Sequence, residues 1–223
     1  MLHRLAGNWL REEYIAALEQ TKAPSQAVRG LYEVQAVLQQ NANRKYELNL
    51  IYHFHESIAR EIKTVVPMTQ NEFTIRFATP YGSGRDEYRI RIDNPARPSL
   101  LTLEYPKGRF RFRKNNEPSA EDFVNRQVLA GQYRDVSGGK YVFGSSQTAQ
   151  WPRQSFRYRV GLDYVFSQTD YFSLVDAKDN HLGVFFSYEW KDGKLYIYKA
   201  AVPQGEAVAP AKEPLLILEK SNP

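Results

Sequence analysis

The chain has 223 residues, a net charge of +5 and no cysteine. That length suits one all-β barrel or sandwich, and the missing thiols exclude a disulfide scaffold, a zinc-thiolate site and a cysteine nucleophile. Hydrophobic residues make up 42% and charged residues 25%, a globular balance, and no apolar run is long enough to span a bilayer as a helix.

The opening, Met1-Leu2-His3-Arg4-Leu5-Ala6-Gly7, has no secretory apolar core. Both a cytoplasmic start and a start left by removal of an export leader fit it, with a periplasmic or secreted location slightly favoured. After Leu5-Ala6-Gly7-Asn8-Trp9-Leu10, residues 11–20 predict a short helix. Tyr14, Ile15 and Leu18 recur at helical spacing, and Glu12 and Glu13 sit in the first turn, where the dipole favours acids. Pro24 marks its end.

From Leu31 the apolar period becomes two. Tyr32, Val34, Ala36 and Leu38 share one face, and Tyr46, Leu48, Leu50, Tyr52 and Phe54 form a longer alternation. Phe73/Ile75/Phe77, Tyr88/Ile90/Ile92, Leu101/Leu103/Tyr105 and Phe110/Phe112 follow, with polar residues between them. Pro106-Lys107-Gly108 reads as a turn between two of these strands. Short alternating runs bounded by Gly, Pro, Asn and Asp predict a mainly β, antiparallel, closed or nearly closed barrel. A second helix is expected over 119–129, capped by Ser119. Strands are then expected near 140–143, 155–162, 171–175, 183–190, 194–200 and 215–219, with a hairpin at Lys191-Asp192-Gly193. The Ala/Pro-rich stretch 202–214 reads as a loop. Leu5-Ala6-Gly7-Asn8-Trp9 is echoed by Leu129-Ala130-Gly131-Gln132-Tyr133, a match too short to establish a repeat. No shift of composition marks a linker, so residues 1–223 are read as one barrel domain with one or two short helices.

Gly7-x-Trp9, followed by many short alternating strands, resembles the lipocalin and fatty-acid-binding (calycin) superfamily, in a distant bacterial form. There the Gly-x-Trp motif opens the first strand and the Trp packs across the barrel floor; an Arg near the last strand packs on it, where this chain's end offers Lys220. The resemblance implies a lumen holding a small, partly apolar ligand. The residues expected to line it are Trp9, Tyr46, Leu48, Leu50, Tyr52, Phe54, Tyr105, Phe110 and Phe112. Further aromatics available to a ligand cage are Trp151, Trp190, Tyr158, Phe166, Tyr171, Phe172, Phe185 and Phe186.

The charge is uneven. Residues 76–114 hold ten Lys/Arg against four acids, a local patch able to attract anions. Arg89 and Arg91 share one strand face, and Arg109, Arg111 and Arg113 share another. The plain reading is a solvated outer face that blunts edge pairing. The functional alternative is an envelope-associated interaction surface, and a sharper variant turns Arg89, Arg91, Arg109 and Arg111 into the lumen to meet an anionic head group. His53-x-His55 would place two imidazoles on one strand face, as a metal site needs, but two solvated histidines explain it as well, and no metal site is assigned. No Gly-x-Ser-x-Gly elbow, phosphate-binding loop or His-Glu-x-x-His helix occurs. The sequence therefore reads as a non-enzymatic binding protein without cofactor. Its expected partner is a small lipophilic ligand, with peripheral contact to an anionic surface as the other reading and nucleic acid not expected; oligomeric state stays open.

Overall fold

A strand with one apolar face must lay that face against a core, and a ring of such strands supplies the core from all sides. The computed structural model describes residues 2–78, 87–105, 108–164, 168–201 and 208–221. Two compact units emerge, Met1–Ala16 with Gly30–Asn116 and Ala17–Arg29 with Glu117–Pro223.

In the first unit the helix α1 (Leu2–Leu5) precedes β1 (Gly7–Arg11). The helix α2 (Glu12–Thr21) and the single turn α3 (Pro24–Ala27) follow it in the chain. Then come β2 (Glu33–Gln40), β3 (Tyr46–Tyr52), β4 (Glu56–Pro67), β5 (Glu72–Phe77), β6 (Glu87–Ile92), β7 (Leu100–Tyr105) and β8 (Gly108–Asn115). Each strand pairs antiparallel with the next, and β8 returns to β1, with Trp9 opposite Lys114 and Leu10 opposite Arg113. The ring is a closed barrel. Its interior is built from the apolar alternation read in the sequence. Trp9, Phe73, Ile75, Leu103 and Phe112 are fully buried within one cluster.

The second unit begins with α4 (Ala120–Val128), which Ser119 caps by accepting the Asp122 amide at 3.0 Å. Its strands are β9 (Gly131–Arg134), β10 (Lys140–Phe143), β11 (Thr148–Trp151), β12 (Gln154–Val160), β13 (Tyr171–Val175), β14 (His181–Lys191), β15 (Lys194–Ala201), β16 (Ala209–Pro210) and β17 (Leu216–Lys220). β9 to β14 pair in sequence order. The hairpin β14–β15 turns at Asp192 and Gly193, both at positive φ as that tight turn requires. β15 then pairs with β17, and β17 with β9, so eight strands again close a ring, while β16 adds to β15.

The expectation of one barrel over 1–223 is thus replaced by two. Once β8 bonds to β1, the first ring has no free edge for β9 to join. The echo between Leu5–Trp9 and Leu129–Tyr133 marks the start of each ring. In both, a helix ends, a glycine at positive φ (Gly7, +126°; Gly131, +158°) opens the first strand, and the aromatic residue bonds back to the helix. Trp9 Nε1 donates to the Leu5 carbonyl at 2.8 Å, and the Tyr133 hydroxyl donates to the Leu129 carbonyl at 2.7 Å. The helices predicted at 11–20 and 119–129 are present as α2 and α4, with the single turns α1 and α3 besides.

α4 holds its ring through the fully buried Asn125. Its amide donates to the carbonyls of Gly144 (2.9 Å) and Ser145 (3.2 Å), and its oxygen accepts the Tyr158 hydroxyl at 2.5 Å. Every polar atom of that side chain is thereby satisfied, as burial demands. No helix among the described residues is long and apolar enough to cross a membrane.

Candidate ligand-binding site

The site is set by a register shift in β2. Ala36 and Leu38 face the core opposite Leu50 and Leu48, so strict alternation would send Glu33 outward. The pairing slips between Glu33 and Gln35, which places Glu33 directly opposite the core residue Tyr52. A bulge of this kind re-aims a side chain, and Glu33 ends 2% exposed. Its carboxylate accepts the Tyr105 hydroxyl and lies 3.9 Å from a guanidinium nitrogen of Arg11. Arg11 also donates to the Glu33 carbonyl at 3.3 Å and stacks 4.6 Å over the Phe110 ring.

A second charge faces inward from β4. Arg60 is the cross-strand partner of Leu48 and follows Ile58, the partner of Leu50, so it stands in the core-facing row. Its guanidinium lies 3.8 Å over the Phe77 ring and 5.7 Å from that of Tyr88. Tyr88 in turn stacks on Tyr105 at 4.6 Å with ring planes 16° apart. Burial, then the hydrogen bond and charge of Glu33, push the Tyr105 hydroxyl far above the ordinary tyrosine range. It stays protonated and donates to the carboxylate.

Arg11, Tyr52, Phe77 and Tyr105 end their strands, while Glu33, Tyr88 and Phe110 lie at or near the start of theirs. Antiparallel order brings all of them to one end of the first barrel. The other end carries α1, Trp9 and the tips of β2 and β8. The first barrel therefore has one end closed by a helix and an aromatic plug. At the opposite end a carboxylate, two guanidinium groups and several tyrosines converge among apolar rings.

Of the expected lining residues, Trp9, Leu48, Leu50, Tyr52 and Phe112 are buried in this core, and Tyr46, Tyr105 and Phe110 pack against it. Only Tyr52, Tyr105 and Phe110 of these lie at the polar end; Trp9 and Tyr46 belong near the closed one. Phe54 does not line the lumen. It sits with His53 at positive φ in the β3–β4 turn, and its ring meets Tyr14 edge-on at 5.2 Å. The strand expected through His53-x-His55 ends at Tyr52, so the two imidazoles do not share a strand face. Pro106-Lys107 and Phe166 lie outside the described residues. The aromatics Trp151, Trp190, Tyr158, Tyr171, Phe172, Phe185 and Phe186 belong to the second unit. There Phe143, Tyr158, Phe172 and Phe186 pack ring against ring in its interior.

The inward variant of the arginine patch is overturned. Arg89 and Arg91 alternate with the buried Tyr88, Ile90 and Ile92, and Arg109, Arg111 and Arg113 stand on the outer face of β8. That face carries its own acids. Glu72 pairs with Arg89 and Arg91, Glu12 with Arg111 (2.9 Å) and Arg113 (3.5 Å), and Glu104 is the cross-strand partner of both Arg89 and Arg109.

Glu33 and Arg60 were not singled out by the sequence. Arg60 had a signal, since Ile58-x-Arg60-x-Ile62 keeps period two once 56–67 is taken as a strand. Glu33 had none, because only the bulge turns it inward. No protein-family model, curated protein or solved structure matches the chain.

Proposed function

We propose that the protein is a non-catalytic binding protein whose first barrel receives a small, partly apolar ligand at its polar end. The observation that carries this reading is the guanidinium of Arg60, turned into the barrel over Phe77 beside Tyr88 and Tyr105. A guanidinium in the core-facing row sets forked hydrogen-bond donors beside aromatic rings, the combination of a polar anchor and an apolar wall that a small-ligand pocket uses. An anionic head group at Arg60, with its apolar part against the tyrosine and phenylalanine rings, suits that arrangement. The calycin resemblance supports the same reading. Trp9 opens the first strand and plugs one end, and the basic residue the family sets on it from the last strand has a counterpart in Lys114 of β8. Lys220 of β17 stands opposite Tyr133 in the second ring.

Native mass spectrometry of the purified protein, followed by solvent extraction, tests it. The expected result is a stoichiometric adduct that leaves on denaturation, extracts as an organic anion and is lost in Arg60→Met. An unmodified mass, together with no shift in melting temperature on adding decanoate, would overturn it.

A further inference from the structure

The closed end of the first barrel carries a second feature, separate from the proposed lumen site. A cleft of about 650 Å³ opens between α1, the β6–β7 loop and the end of β8. Four cations line it: Arg4, Arg97, Arg113 and Lys114. No acid is among its lining residues; the rest are neutral, including Asn94 and Asn116.

Each cation is held by a different device, and of the four only Arg113 has an ion pair among the described residues. The Arg4 guanidinium donates to the Pro95 carbonyl at 3.0 Å, which ties α1 to the loop. Lys114 Nζ donates to the Arg4 carbonyl at 3.4 Å, and its charge sits over the Trp9 ring. Arg113 reaches Glu12 at 3.5 Å, an acid it shares with Arg111. Arg97 is presented by a loop fixed between two prolines, in which the Asn94 side chain accepts the amides of Ala96 and Arg97. Among the described residues its guanidinium has no hydrogen bond or ion pair. The loop's own carboxylate, Asp93, is occupied. It accepts the amides of Ser99 and Leu100 at 2.9 and 3.0 Å and the Ser99 hydroxyl at 2.5 Å.

We propose that this cleft is an anion site for a phosphomonoester. Three guanidinium groups and an ammonium exceed what a single carboxylate engages, whereas a phosphoryl group offers three oxygens to forked donors. The cleft leaves room for an organic body on the phosphate, along the loop and the two asparagines. That body is either a free metabolite or the exposed head of a lipid such as phosphatidic acid, and both present the same dianion.

Calorimetric titration with phenyl phosphate, with phenol as the control, reads the free form. Sedimentation with phosphatidylcholine vesicles, with and without phosphatidic acid, reads the lipid form. The proposal expects binding in one or both arms, none to phenol or to pure phosphatidylcholine, and at least a tenfold loss of affinity in Arg97→Glu. Arg97 is exposed on a loop, so its replacement leaves the fold intact, which the melting temperature checks. Binding confined to the phosphatidic acid vesicles identifies a lipid source. No binding in either arm, or binding unchanged in Arg97→Glu, overturns the site. Arg60→Met should leave both arms untouched, which separates this result from that of the lumen.

Discussion

The ammonium of Lys114 stands 5.4 Å from the centroid of the Trp9 ring, and the two residues face each other across the β1–β8 seam that closes the first barrel. Gly7 enters this seam at a φ of +126°, a backbone conformation that side chains rarely adopt, while a Cβ there would only touch Lys114 Cε at an ordinary 3.7 Å. The seam is thus held by a hydrogen-bonded ladder, a buried indole and a cation laid over it. Cation–π contact and stem packing together contribute about 1 kcal/mol, so Lys114→Ala should lower stability by about that much in urea unfolding. Trp9→Leu should cost more, by cavity formation and loss of the bond to Leu5, and the Lys114→Ala effect should shrink in the Trp9→Leu background. An undiminished effect in the double mutant would show that Lys114 acts elsewhere.

The corresponding bond in the second ring isolates a single atom. Tyr133→Phe removes the hydroxyl that donates to Leu129 and keeps the ring, which packs edge-on against Phe143. The carbonyl at the end of α4 then loses its partner in a buried setting, at a cost of about 1–3 kcal/mol. Thermal melts should show a lower transition for Tyr133→Phe than for the natural chain. Equal melting temperatures would mean that water or a neighbouring group replaces the bond.

Asp170 gives the fold a pH dependence. It is buried, and burial pushes its carboxyl up from an ordinary 3.8 to about 6, against hydrogen bonds from the Ser25 amide and hydroxyl and from Tyr164 and the charge of Arg29. The folded chain therefore binds a proton more tightly than the unfolded one. Stability from this group is full below pH ~4 and falls as pH rises through about 6, by ~3 kcal/mol at most. Asp170→Asn keeps an oxygen for the Ser25 amide and should flatten that fall. Urea midpoints measured from pH 4 to 7 decide it, and parallel curves for the two proteins would contradict the assignment.

Much of the first barrel was legible along the chain because alternation reports directly which side of a strand is wet. Tyr88/Ile90/Ile92 and Leu101/Leu103 sit where period two puts them, and the arginines between Tyr88 and Ile92 face out for the same reason. The caps and turns were legible too, since Ser119 and Asp192-Gly193 act through bonds and dihedrals only a few residues long. β4 was not legible, because Arg60 breaks its apolar row and Phe54 appeared to extend the strand before it. The fully buried Asn125 was hidden as well: its partners, Tyr158 and the 144–145 backbone, lie 19 to 33 residues away.

The sequence by itself determined an antiparallel β protein with aromatic interiors, an arginine-rich strand face and two Gly-x-aromatic stretches, all consequences of local pattern. Tertiary structure alone decided that β8 returns to β1, so that the two stretches open two barrels. It alone decided that a one-residue slip turns Glu33 inward to meet Tyr105, and that Arg4, Arg97, Arg113 and Lys114 line one cleft. Ring closure, register and the meeting of distant charges depend on which strands find each other, and that pairing is fixed by the packing of the whole core rather than by any segment within it.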